Sequence, residues 1–78
     1  MTGFEIKLRS INDVKEFVRI VNMYDHDIDL ISGRYIVDAK SIMGIFSLDL
    51  SLPIRVEVHE GDTEGLMKEL KSFITDRK

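Results

Sequence analysis

Ala39-Lys40-Ser41-Ile42-Met43-Gly44-Ile45-Phe46-Ser47-Leu48 is the stretch on which the reading of the fold turns. It follows a strand-like run and opens with a serine placed to cap a helix. Ile42, Met43, Ile45 and Phe46 then crowd around one glycine. That is too apolar for a solvated loop and too short for a full core helix. The expectation is one to two helical turns through Ser47, part buried and part offered to a partner. Met43, Ile45 and Phe46 read as shared between core and surface. Phe46 and Leu48 are expected under the sheet, with Ile42 and Met43 exposed.

Upstream, Phe4-Glu5-Ile6-Lys7-Leu8 alternates with period two and predicts a half-buried strand. Ser10 and Asp13 have capping-box spacing, in which the serine oxygen accepts a backbone N–H and the acidic side chain reaches back. Val14, Phe17, Val18 and Val21 recur at i, i+3, i+4, i+7 and mark a helix from about Asn12 to Met23. After the polar Tyr24-Asp25-His26-Asp27 break, strands are expected at Ile28 to Ile31 and Arg34 to Asp38. Ser32-Gly33 is the turn between them.

Downstream, Asp49 to Pro53 reads as a loop. Ile54, Val56 and Val58 alternate with Arg55, Glu57 and His59 in a fourth strand. Asp62 or Thr63 can cap a last helix carrying Leu66, Leu70, Phe73 and Ile74, with Lys71, Arg77 and Lys78 near its C-terminus. The order is βαββαβα. Helices that must share one apolar face with four short strands give an open-faced α+β sandwich.

The totals exclude several function classes. The 78 residues contain no cysteine, so there is no disulfide or thiolate metal site. A net charge of −3 argues against general nucleic-acid binding. No apolar run approaches a membrane span, and Met1-Thr2-Gly3-Phe4 lacks a basic start followed by an apolar block. The expectation is a soluble, cytoplasmic protein. Asp25-His26-Asp27 and His59-Glu60 read as solvated loop and strand-end groups rather than metal or acid–base sites. No phosphate loop, carboxylate pair or nucleophile–histidine arrangement appears, so neither an enzyme nor a cofactor is expected.

Lys40-Ser41-Ile42-Met43-Gly44 followed by Ser47-Leu48 resembles the regulatory-site motif of the HPr family, the small phosphocarriers of the bacterial phosphoenolpyruvate sugar phosphotransferase system. Tyr24-Asp25 and Asp27 look similar too, and the resemblance spans nearly all of residues 1–78, taken as a single domain. It implies a four-stranded antiparallel sheet with two longer helices and one short helix on one face. It also implies phosphorylation of Ser41 by an HPr kinase/phosphorylase and binding of the product to a catabolite-control transcription factor, through Ile42, Met43, Lys40 and Ser47. A phosphate at a helix N-terminus meets free backbone N–H groups, and adds about −1.5 to −2 charge beside an apolar patch.

The family's phosphohistidine position falls on Ser10, its arginine on Asn12 and its proline on Asp13. Phosphoserine is a stable ester that would trap a phosphoryl group, Asp13 would repel it, and the electrostatic clamp is gone. This resembles the catabolite-repression type of HPr that lacks the histidine. Asp49 and Pro53 stand where the family favours glycine-type residues, and Asp49 would repel a phosphate lying close to it. Two other readings stay open: a phosphorylation-independent interaction module, monomeric or weakly dimeric, in which Ser41 is only a helix cap; and an atypical carrier using His26 or His59.

Overall fold

The computed structural model describes residues 2–75. Ser10 begins the first helix, α1 (Ile11–Val21), accepting the Asp13 N–H at 3.1 Å. The Asp13 carboxylate reaches one residue further back than in a capping box, to the Arg9 N–H at 2.8 Å. Val14, Phe17, Ile20 and Val21 are buried, and Val18 packs at their margin. Asn22 stops the helix by turning both its backbone N–H and its side-chain amide onto the Val18 carbonyl. The end at Val21, rather than Met23, follows from that local competition.

The strands are β1 (Thr2–Ile6), β2 (Ile28–Ser32), β3 (Tyr35–Asp38) and β4 (Ile54–Val58). They form one antiparallel sheet in the order β1-β4-β2-β3. Strand β1 leaves the ladder two residues before the expected Leu8. Lys7 donates its N–H to the Phe73 carbonyl at 2.8 Å and its ammonium to the Leu50 carbonyl at 3.3 Å. Leu8 is still buried, off the sheet. Gly33 has a φ of 61° and joins β2 to β3, with no non-glycine residue at positive φ among those described. Glycine at the first central position is the type II′ hairpin pattern, whose twist matches that of the strands.

Two short helices complete the order: α2 (Ile42–Phe46) and α3 (Glu64–Glu69). The α+β class and the βαββαβα order are as expected, but only α1 is long. The expected last helix through Ile74 stops at Glu69. Residues 70–73 tighten into turns, with Phe73 donating to the Leu70 carbonyl at 2.9 Å. Ile74 then pairs with Ile6, and Thr75 donates to the Glu5 carbonyl at 3.0 Å. Lys71 therefore lies beyond the helix, and Arg77 and Lys78 lie outside the described residues. Asp62, not Thr63, supplies the cap oxygen, accepting the Glu64 N–H at 3.0 Å.

The core is one cluster on one face of the sheet. Ile6, Leu30, Val56 and Val58 meet Phe17 and Val21 of α1, Ile45 of α2 and Leu66 of α3. Phe17 and Phe73 close it edge to face, with ring centroids 6.3 Å apart. Among the described residues no polar or charged residue is buried. No helix among them is long and apolar enough to cross a membrane.

Candidate functional site

Ser41 stands where β3 turns into α2. Its N–H donates to the Asp38 carbonyl at 3.0 Å, and its Oγ accepts the Gly44 N–H at 3.2 Å. The residue is exposed, and its hydroxyl keeps a proton and a lone pair. Gly44 is required by a close approach. A Cβ there would sit 3.3 Å from both Ser41 Oγ and Val37 Cβ, so a side chain would crowd the serine against β3. Ser47 closes the other end of α2, donating its hydroxyl to the Gly44 carbonyl at 2.6 Å.

The apolar residues of α2 divide by helical position. Ile45 is fully buried and Ile42 half-buried against the core, while Met43 is 79% exposed. Phe46 departs from expectation: it is 42% exposed rather than packed beneath the sheet. Five helical residues cannot turn Ile45 and Phe46 to the same side, and Ile45 occupies the core position. Phe46 instead lines a groove of about 400 Å³ with Leu8, Arg9, Ser10, Ile11 and Leu50. The exposed apolar surface thus runs from Met43 past Phe46 to Ile11, beside Ser10.

The resemblance implies Lys40 in the partner surface; within the chain its ammonium donates to the Tyr24 carbonyl at 2.6 Å. It ties the segment before Ser41 to the end of α1. Asp49 accepts both the N–H and the hydroxyl of Ser51, at 3.1 and 2.6 Å. The Ser51 hydroxyl bond is the main reason its carboxyl is held below its ordinary value. It follows the C-terminal end of α2, roughly 8 Å along a five-residue helix from Ser41, and turns into its own loop.

Neither histidine is simply solvated. His26 donates Nε2–H to the Asp62 carbonyl at 2.8 Å and lies edge-on to Tyr24. Gly61, at φ 95°, lets the backbone pass against its ring, where a Cβ would come within 2.8 Å. His59 pairs across the sheet with Asp29, Nε2 to Oδ2 at 2.7 Å. Both partners are remote in sequence, so residue-by-residue reading misses them.

The Asp29 hydrogen bond holds the His59 imidazole above its ordinary value of 6.5. A raised folded-state value stabilises the fold below about pH 6.5, and that contribution is lost as pH rises through the folded value. In an NMR titration His59 is expected to have its midpoint above 6.5, with Asp29→Asn bringing it down. An unchanged midpoint would remove Asp29 as the cause. Ser10 is exposed and its oxygen is spent on the cap; Ser10→Ala is expected to cost about 1 kcal/mol, read from urea unfolding.

A serine-capped α2 with an exposed apolar flank, on a β1-β4-β2-β3 sheet, can be compared with known proteins. Residues 12–76 match the family described as the PTS HPr component phosphorylation site. The chain belongs to the HPr family. HPr proteins are phosphocarriers of the phosphotransferase system, and the family match begins just after Ser10.

A solved structure of HPr-C-His from Thermoanaerobacter tengcongensis is 28% identical, with a TM-score of 0.76, covering 92% of this chain and 89% of that one. The phosphocarrier protein HPr from Bacillus anthracis is 23% identical, with a TM-score of 0.71 and coverage of 95% and 96%. A histidine-containing phosphocarrier protein of Mycoplasma is 13% identical, with a TM-score of 0.73 and coverage of 91% and 89%. The last two likenesses are of fold alone. No curated protein matches the HPr-like chain at a significant level.

Proposed function

We propose that this HPr-family chain acts as a regulatory protein, phosphorylated on Ser41 by an HPr kinase/phosphorylase, and not as a phosphocarrier. The phosphorylated form binds a catabolite-control transcription factor through Met43 and the exposed edge of Ile42, with Lys40 and Ser47 holding the two ends of α2. The observation that carries this reading is the exposed Ser41 hydroxyl beside a Met43 that is 79% exposed. A methionine so placed contributes little to the core and offers a soft apolar contact.

In the modifying step, Ser41 Oγ attacks the γ-phosphorus of ATP. The new O–P bond forms as the bond to ADP breaks, and the hydroxyl proton passes to a base of the kinase. The phosphate then lies beside the first N–H groups of α2, which have no intrahelical partner.

Carrier chemistry fits the rest of the chain poorly. A phosphate on Ser10 would be a stable ester next to the Asp13 carboxylate, which faces the adjoining Arg9 N–H. Phosphorylation of His59 would set a phosphate against Asp29, and His26 Nε2 is committed to Asp62. Incubation with purified HPr kinase and ATP is expected to add one phosphate per chain. Incubation with phosphoenolpyruvate and enzyme I is expected to add none. An unlabelled chain in the kinase assay, beside a conventional HPr that labels, would end this reading and favour a phosphorylation-independent module.

A further inference from the structure

The two edges of the sheet are treated differently. The β1 edge is met at its Glu5–Lys7 end by the C-terminal segment, through Lys7 to Phe73, Ile6 opposite Ile74, and Thr75 to Glu5. Strand β3 forms the other edge and pairs only with β2 among the described residues.

The register tells which backbone groups β3 leaves free. Ala39 donates its N–H to the Ile28 carbonyl at 2.9 Å. Hydrogen-bonded pairs alternate along an antiparallel ladder, so Val37 opposite Leu30 and Tyr35 opposite Ser32 bond inward. Ile36 therefore turns both its N–H and its C=O outward, and Asp38 its N–H. Edge strands are commonly blunted by short length, charged side chains, proline or a bulge. Tyr35–Asp38 is short and ends in Asp38 but has no proline, lysine or bulge, and Tyr35 and Ile36 are 70% and 66% exposed.

We propose that this edge is a homodimerisation surface, on which two copies pair antiparallel through β3 with Ile36 opposite Ile36 of the second copy. The outward N–H and C=O of Ile36 require that central pair to be a hydrogen-bonded one, and a two-fold axis through it makes the contact isologous. The same register brings Arg34, the turn residue that precedes β3, to the end of the seam beside Asp38 of the second copy, twice. Arg34 has no ion-pair partner among the described residues. Asp38 engages one carboxylate oxygen with the Lys40 N–H at 2.9 Å and keeps the other for a cation. Ile36 lies beside the half-buried Ile31 on the outer face, so the seam becomes an apolar strip between two opposite-charge pairs. The product is a continuous eight-stranded sheet. A contact this short falls well below the roughly 1,000 Å² of a stable interface, so association is expected at roughly 0.1–1 mM.

Sedimentation equilibrium and amide NMR of the full chain, from roughly 20 µM to 2 mM, test this. The average mass is expected to rise toward two chains. The Ile36 and Asp38 amides should shift with concentration while those of Tyr35 and Val37 move little. Ile36→Lys is expected to abolish association and Met43→Asp to leave it unchanged. Arg34→Asp and Asp38→Arg should each weaken it about tenfold by setting like charges opposite one another. Mixing these two variants should restore it, because every crossing pair regains opposite signs.

A constant monomer mass at the highest concentration overturns the proposal, as does a dimer that survives Ile36→Lys or is lost with Met43→Asp. A mixture of folded charge variants that fails to recover overturns the register. If the Asp38 variant does not fold, Ile36→Lys and the amide shifts still decide.

Discussion

Phe17→Ala is expected to lower the free energy of unfolding by about 3–5 kcal/mol. Phe17 is fully buried on α1, and it is the ring that joins this helix to the end of the chain, edge to face with Phe73. Truncation removes the transfer free energy of the ring and leaves a cavity. The neighbours are poorly placed to fill it, because Val14 and Val21 are fixed on the same helix and Val56 and Val58 on the central strand β4. The lost aromatic pair adds about 0.5–1.5 kcal/mol of its own within that total. A chain of 78 residues holds about 4–12 kcal/mol at 0.05–0.15 kcal/mol per residue, so this one change removes a large share of the stability. Equilibrium urea unfolding should show a much lower midpoint with a similar slope. A loss under about 1 kcal/mol would mean that α1 is not held to the sheet by this contact.

Ser41→Asn is expected to abolish labelling by HPr kinase while leaving the fold near its parent stability. The hydroxyl that the kinase would modify is the same oxygen that accepts the Gly44 N–H at the start of α2. Ser41→Ala removes both functions at once and costs about 1 kcal/mol through the cap. Asparagine is as good an N-cap as serine, so it keeps the Gly44 bond and cannot be phosphorylated. The comparison separates the two roles: Ala and Asn variants should be equally unlabelled, yet only the Ala variant should melt early. Phosphate found on the Asn variant would move the modified residue away from Ser41. An unlabelled parent chain would leave Ser41 a cap and nothing more.

Helix starts at Ser10 and Ser41 were legible because a cap bonds within three residues of itself. The alternation of Ile54, Val56 and Val58 was legible for a similar reason: a central strand with one buried face imposes period two on its own residues. The Lys40–Gly44 run carried the family, and the turn at Gly33 carried the hairpin.

The ends of elements were less legible. Leu66, Leu70, Phe73 and Ile74 keep helical spacing, but the last two serve a turn and a strand pairing, because any short apolar series that faces the core fits more than one backbone path. Phe46 misled for a related reason. Its apolar character says that it avoids water, but only the orientation of α2 gives Ile45 the core and leaves Phe46 at the groove.

By itself, then, the sequence determined the class, the element order, the capped start of α2 and the family, all from interactions within a few residues or from motif identity. Tertiary structure alone decided which partners His26 and His59 take, and which sheet edge is closed. Glu5 and Thr75 meet across 70 residues of chain, and their contact covers the end of β1. No local pattern encodes such a meeting, because it depends on where the rest of the fold returns the chain.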